Sequence, residues 1–266
     1  MERGPSLLPA LRTACGFVRK QPILLDIALW FVLVPAAIAD AAIGSLAKGG
    51  WQTNLLAASG GVRNATPAVL MLMLVVGVFT LWGQAATLIV ARRMLKRSAG
   101  RSRTSLRAVA REARGFIIPL LLTEILWTAS IVLWGLALLI PGIVTAFRGI
   151  FFPVIIVTEG QEAYRAALRS SASVVRGHWL RTMLAITLAA VLCLGTPYVI
   201  GSILSTRTAL APEVIVIAGS VLSHTIATMG QMLFWLTLVA CYVQIAAKRH
   251  DGQPRTVKGR RPAQKR

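Results

Sequence analysis

The stretch that decides the fold is "LLIPGIVTAFRGIFFPVIIV", residues 138–157. It is almost wholly apolar, yet it holds Pro141-Gly142, a second proline at Pro153 and one cation, Arg148. Together with the apolar residues before it, from 116 on, it is roughly twice as long as the ~20 helical residues that a hydrocarbon layer requires. Pro-Gly is a strong turn signal. The sequence therefore predicts a hairpin, with a helix over 116–140, a two-residue turn at Pro141-Gly142, and a short helix over 143–158 that Pro153 bends by removing a backbone donor.

Outward from this stretch the chain carries further apolar segments at 22–43, 67–91, 179–205 and 214–247, each long enough to span a bilayer. Apolar residues make up 56% of the 266 and charged residues only 14%, against about 25% in an ordinary soluble domain. The predicted class is all-α: a polytopic membrane protein with six transmembrane helices. The N-terminal stretch is interrupted by Arg12, Arg19 and Lys20 and shows no small-residue cleavage pattern, so no cleavage is expected. A single membrane domain over 1–247 and a disordered basic tail over 248–266 are expected.

Charge supplies the independent reason for the hairpin. The net charge of +20 would suggest nucleic acid in a soluble chain, but its distribution alternates along this one. With a turn inside 116–158, 25 of the 29 Lys and Arg residues fall on the side of the termini and the 92–115 and 159–181 connections, and 3 on the other. The positive-inside rule then places both termini in the cytoplasm. Without the turn, the two basic connections would lie on opposite faces. The expected setting is a bacterial inner membrane, with anionic lipid headgroups on the cytoplasmic side, a membrane protein or a second copy as possible partners, and no nucleic acid.

Three basic stretches precede crossings: 6–20, 104–115 and 162–177. In the second, Leu106, Val109, Ala110 and Ala113 make a helical stripe with Arg107, Arg111 and Arg114 elsewhere on the wheel. In the third, Tyr164, Ala167, Leu168, Ser171 and Val175 make the stripe, with Arg165, Arg169 and Arg176 on another face. Such helices are predicted to lie in the headgroup region with guanidiniums toward phosphates. Aligning Leu7, Leu106 and Tyr164 also aligns Arg12, Arg111 and Arg169, so the chain divides into units 6–91, 104–158 and 162–247, each an interfacial helix followed by a hairpin. A true internal duplication and a shared physical solution both fit this pattern.

Residues 138–181 resemble the glycerophosphoryl diester phosphodiesterase membrane-domain family. The resemblance is carried by Ile140-Pro141-Gly142, Arg148, Pro153, Glu159-Gly160, Ala167-Leu168, Ser170, and Arg176-Gly177-His178-Trp179. It departs where family members often place a large aromatic and this chain has Ser171. The resemblance implies a six-helix membrane domain and, in family members that are enzymes, a separate catalytic barrel with metal-binding carboxylates and histidines. The 19 residues after Ala247 hold no such barrel, and 9 acidic residues and 3 histidines show no ligand spacing. The expectation is the membrane part without the enzyme, with no cofactor and no metal. Cys15, Cys193 and Cys241 sit in separate apolar contexts and are expected to be packing residues.

The candidate site is therefore intramembrane. Arg148 is costly in hydrocarbon unless it snorkels or pairs, and Asp40 or Glu124 could pair with it. Gln84, Gln231 and Gln244 are expected to bridge helices. Pro197, between Gly195 and Gly201, predicts a second irregular helix. The function expected is structural or accessory, in envelope lipid handling or assembly; the alternative is transport of a lipid or small solute around Arg148 and the kinks at Pro153 and Pro197.

Overall fold

The computed structural model describes residues 6–39, 67–96, 105–160, 164–177, 179–208 and 213–252. Among them the elements are helical: α1 (Leu7–Lys20), α2 (Ile23–Ala39, with a π turn at Leu29–Leu33), α3 (Pro67–Lys96), α4 (Leu106–Ala137), α5 (Leu139–Gly149), α6 (Phe152–Glu159), α7 (Arg165–Val175), α8 (Trp179–Ala190), α9 (Thr196–Thr208) and α10 (Glu213–Gly252). A π turn, Val191–Gly195, joins α8 to α9. Five helical stretches are long and apolar enough to cross a membrane, and the bent pair α1 and α2 makes a sixth if counted together. Their outer faces are strongly apolar and exposed, as at Leu136 and Ile140. This is a multi-pass integral membrane protein, because no aqueous solvent would tolerate that much bare leucine and isoleucine.

The predicted hairpin is present but its reversal lies elsewhere. The chain turns at Leu138, which is extended at φ −156°, ψ 125°, while Pro141 and Gly142 sit in the first turn of α5. The physical reason is that a first helical turn has no use for a proline N–H, so Pro141 fits there without breaking anything. Gly142 serves contact rather than turning: a Cβ on it would lie 2.7 Å from the Gly135 Cα of α4. The two helices touch backbone to backbone immediately below their reversal. The crossing is also longer than 143–158, running Leu139–Glu159 over 21 residues.

That crossing is broken at Ile150-Phe151, and Pro153 lies in the first turn of α6 just after the break. The break frees backbone groups that cannot be left bare in an apolar interior. A side chain from α7 satisfies them. The buried Ser171 hydroxyl donates to the Arg148 carbonyl at 2.7 Å and accepts from the Phe151 amide at 3.1 Å. The Ser171 hydroxyl, able both to donate and to accept, thus bridges the two ends of the break.

Pro197 follows the second π turn. A Cβ at Gly230 of α10 would lie 1.9 Å from the Cys193 carbonyl, so α10 and that π turn are also in backbone contact.

The helix before each hairpin packs on the second helix of another hairpin. The start of α4 lies against α3, α7 against α5 and α6, and α1 against α10. In the alignment of units, the third and seventh residues after the aligned starts are Ala10 and Ala14, Val109 and Ala113, and Ala167 and Ser171, all with no exposed surface. Arg107, Arg111, Arg165, Arg169 and Arg176 are exposed. α1 meets α2 at 93°, and the amide of Ser6 donates to Gln244 Oε1 at 3.1 Å, tying α1 to α10.

The core lies where the second helices converge. Each has seven consecutive buried residues, at 85–91, 151–157 and 235–241, which means burial on every side of the helix. α3, α6 and α10 contact one another there. Arg92 Nη1 donates to the Val157 carbonyl at 3.1 Å and stands 3.9 Å from Glu112, with which Arg93 also pairs. One guanidinium thus closes the last turn of α6 and joins it to α3 and α4.

Candidate functional site

Beside this core, on the side of the Leu138 reversal, α3, α4, α6 and α10 line an open cavity of about 580 Å³. Its volume suits a small ligand. Phe152, Trp235 and Leu238 form the end nearest the core, while the exposed Met73, Leu74 and Gly77 of α3 line its opposite end. The walls are apolar except for four side chains: Thr80 and Gln84 from α3, Glu124 from α4 and Gln231 from α10. Each hairpin therefore supplies at least one polar group to the same space.

Helix phase explains why these residues meet. Thr80 and Gln84 are one turn apart on α3, as are Gln231 and Trp235 on α10, and Glu124 and Trp127 are three apart on α4. The Thr80 hydroxyl is spent on its own helix, donating to the Val76 carbonyl at 2.9 Å. Gln84, Glu124 and Gln231 have no hydrogen-bond or ion-pair partner among the described residues. The ion pairs there are those of Arg92 and Arg93 with Glu112. Trp127 Nε1 is buried without an acceptor. Its indole occupies the notch left by Gly149, where a Cβ would approach to 2.2 Å, and its ring leans on Phe152 at 5.6 Å between centroids.

Glu124 has a second outlook. It also lines a shallow groove along α4 that passes Thr128, Val132 and Leu136, on the exposed side of the helix. One carboxylate thus borders both the interior cavity and a surface that faces lipid.

The predicted site residues separate accordingly. Arg148 is exposed at the end of α5, pairs with no carboxylate among the described residues, and lines neither the cavity nor the groove. Glu124 sits with Gln84 and Gln231 instead. Asp40 and His178 lie outside the described residues. Gln244 does bridge elements, through Ser6, whereas Gln84 and Gln231 face the cavity. Pro153 lines the cavity; Pro141, Gly142 and Pro197 do not. Ser171 and Trp127 were not singled out as site residues by the sequence. For Ser171, a serine in the apolar stripe of an amphipathic helix was the available signal, since a hydroxyl buried there needs partners.

No group of three or more His, Cys, Asp or Glu residues that could hold a metal occurs among the described residues. The three cysteines are free, with Cys193 and Cys241 buried. No family model matches the chain, and neither a curated protein nor a solved structure is similar to it.

Proposed function

We propose that this chain is a non-enzymatic, six-crossing membrane protein with an accessory role in membrane lipid handling, and that it holds a lipid-like molecule in the cavity between α3, α4, α6 and α10. The observation that carries this is an apolar space of about 580 Å³ bordered by Gln84, Glu124 and Gln231, three polar side chains from α3, α4 and α10 with no protein partner among the described residues. Such groups are costly in an apolar interior unless something else satisfies them. The basic helices α1 and α7 and the start of α4 rest on cytoplasmic headgroups, with Arg107, Arg111, Arg165, Arg169 and Arg176 toward phosphate and both termini inside. The setting is a bacterial inner membrane. Transport centred on Arg148 is less favoured, because its exposed side chain is remote from the cavity lining.

Native mass spectrometry of the full chain, released from nanodiscs, tests the reading. A Cβ at Gly77 would meet nothing within 4 Å, so Gly77→Phe fills the cavity without striking backbone. The wild-type chain is expected to retain a bound amphiphile, and Gly77→Phe is expected to lose it with its melting temperature unchanged. Equal retention by both, or none by the wild type, refutes the reading.

A further inference from the structure

The cavity has a chemical bias that narrows its ligand. Four of its 17 lining residues are aromatic, Trp127, Phe152, Phe234 and Trp235, in a chain that is 7% aromatic. Among the described residues its only ionisable lining group is Glu124, and no Lys, Arg or His of theirs borders it. Aromatic faces carry negative potential at their centres and attract cations, most strongly when desolvated. A carboxylate beside them has the same preference, and it lacks a cation of its own.

We propose that the cavity is a binding site for a lipophilic organic cation, an ammonium-headed amphiphile or a comparable onium ion. This rests on the reading of the cavity as a lipid-like site and adds the charge of the ligand. The cationic head lies against Glu124 and the Trp127 and Trp235 rings, with the Gln84 and Gln231 carbonyl oxygens as further acceptors. The apolar part extends past Leu81 and Gly77 to Met73 and Leu74, which are exposed. A head that also bears phosphate is disfavoured, because the second charge would have no cationic partner in the lining and burying it alone is costly. Because Glu124 also borders the groove on the outer face of α4, a cation that partitions into the bilayer can reach it from lipid.

Charge can be separated from hydrophobicity with two ions of nearly the same size and shape, tetraphenylphosphonium and tetraphenylborate. Each is titrated by equilibrium dialysis against the full chain in nanodiscs, with empty nanodiscs as the blank for partitioning. Saturable binding of the cation at least tenfold tighter than that of the anion is expected. Glu124→Gln is expected to weaken the cation at least tenfold and leave the anion unchanged, and Gly77→Phe is expected to abolish cation binding, which serves as the check should Glu124→Gln fold poorly. Equal binding of the two ions overturns the proposal, as does undiminished cation binding by a folded Glu124→Gln or by Gly77→Phe. If these fail while the wild-type chain still retains an amphiphile that Gly77→Phe loses, the ligand is not a cation and the cavity reading stands. If both experiments fail, both readings fall.

Discussion

Removing the Ser171 hydroxyl puts the broken crossing to a direct test. Ser171→Ala deletes a group that accepts from Phe151 N–H and donates to the Arg148 carbonyl. Both backbone groups lie at the interruption between α5 and α6, with Phe151 fully buried. Leaving a buried donor or acceptor unsatisfied costs about 1–3 kcal/mol each. Two such groups suggest ~2–6 kcal/mol, reduced to the lower end if the gap admits a water or if α5 and α6 straighten. Thr225→Ala supplies the control: its hydroxyl donates to the Val221 carbonyl of its own helix, in an exposed position, and its loss is expected to cost about 0.5 kcal/mol or less. Reversible unfolding in mixed detergent micelles would measure both. A Ser171→Ala change no larger than that of Thr225→Ala would refute the view that this hydroxyl holds the break together.

Two other changes follow from the packing. Gly230→Val places side-chain atoms where the Cys193 carbonyl and Pro197 ring already sit; separating α10 from the π turn is expected to cost more than 3 kcal/mol or abolish folded yield, read by size-exclusion chromatography of detergent extracts. Arg148→Gln is expected to leave yield intact and lower stability by no more than about 1 kcal/mol, the scale of a cation near a helix C-terminus, because it is the Arg148 carbonyl and not its exposed guanidinium that binds Ser171; loss of folded protein by the same chromatography would contradict this.

How much was legible in the sequence differs from one element to the next. Of the stripes at 106–113 and 164–175, Val109, Ala113, Ala167, Ser171 and Val175 are buried while Tyr164 is exposed, because helical periodicity fixes side-chain direction but not where the partner's surface ends. The hairpin within 116–159 was legible from charge alternation. Its exact reversal was not, since Pro-Gly is compatible both with a turn and with a first helical turn followed by close packing. The candidate site was only partly legible. Glu124, Gln84 and Gln231 each stood out as polar residues in apolar runs, but nothing local shows that they share one cavity. A lone arginine is the costlier residue in hydrocarbon, yet the position of Arg148 at the end of α5 leaves it at the surface.

By itself, the sequence determined that this chain is an all-α, multi-pass bundle of long apolar helices. Those properties depend on hydropathy, length and period, which are additive along the chain. Only the tertiary structure decided that α3, α6 and α10 form the buried centre, that Ser171 mends a broken helix 20 residues before it, and that Glu124, with no partner among the described residues, lines one cavity with two amides and four aromatic side chains. These arise from contacts between distant residues, and they exist only once the helices are packed.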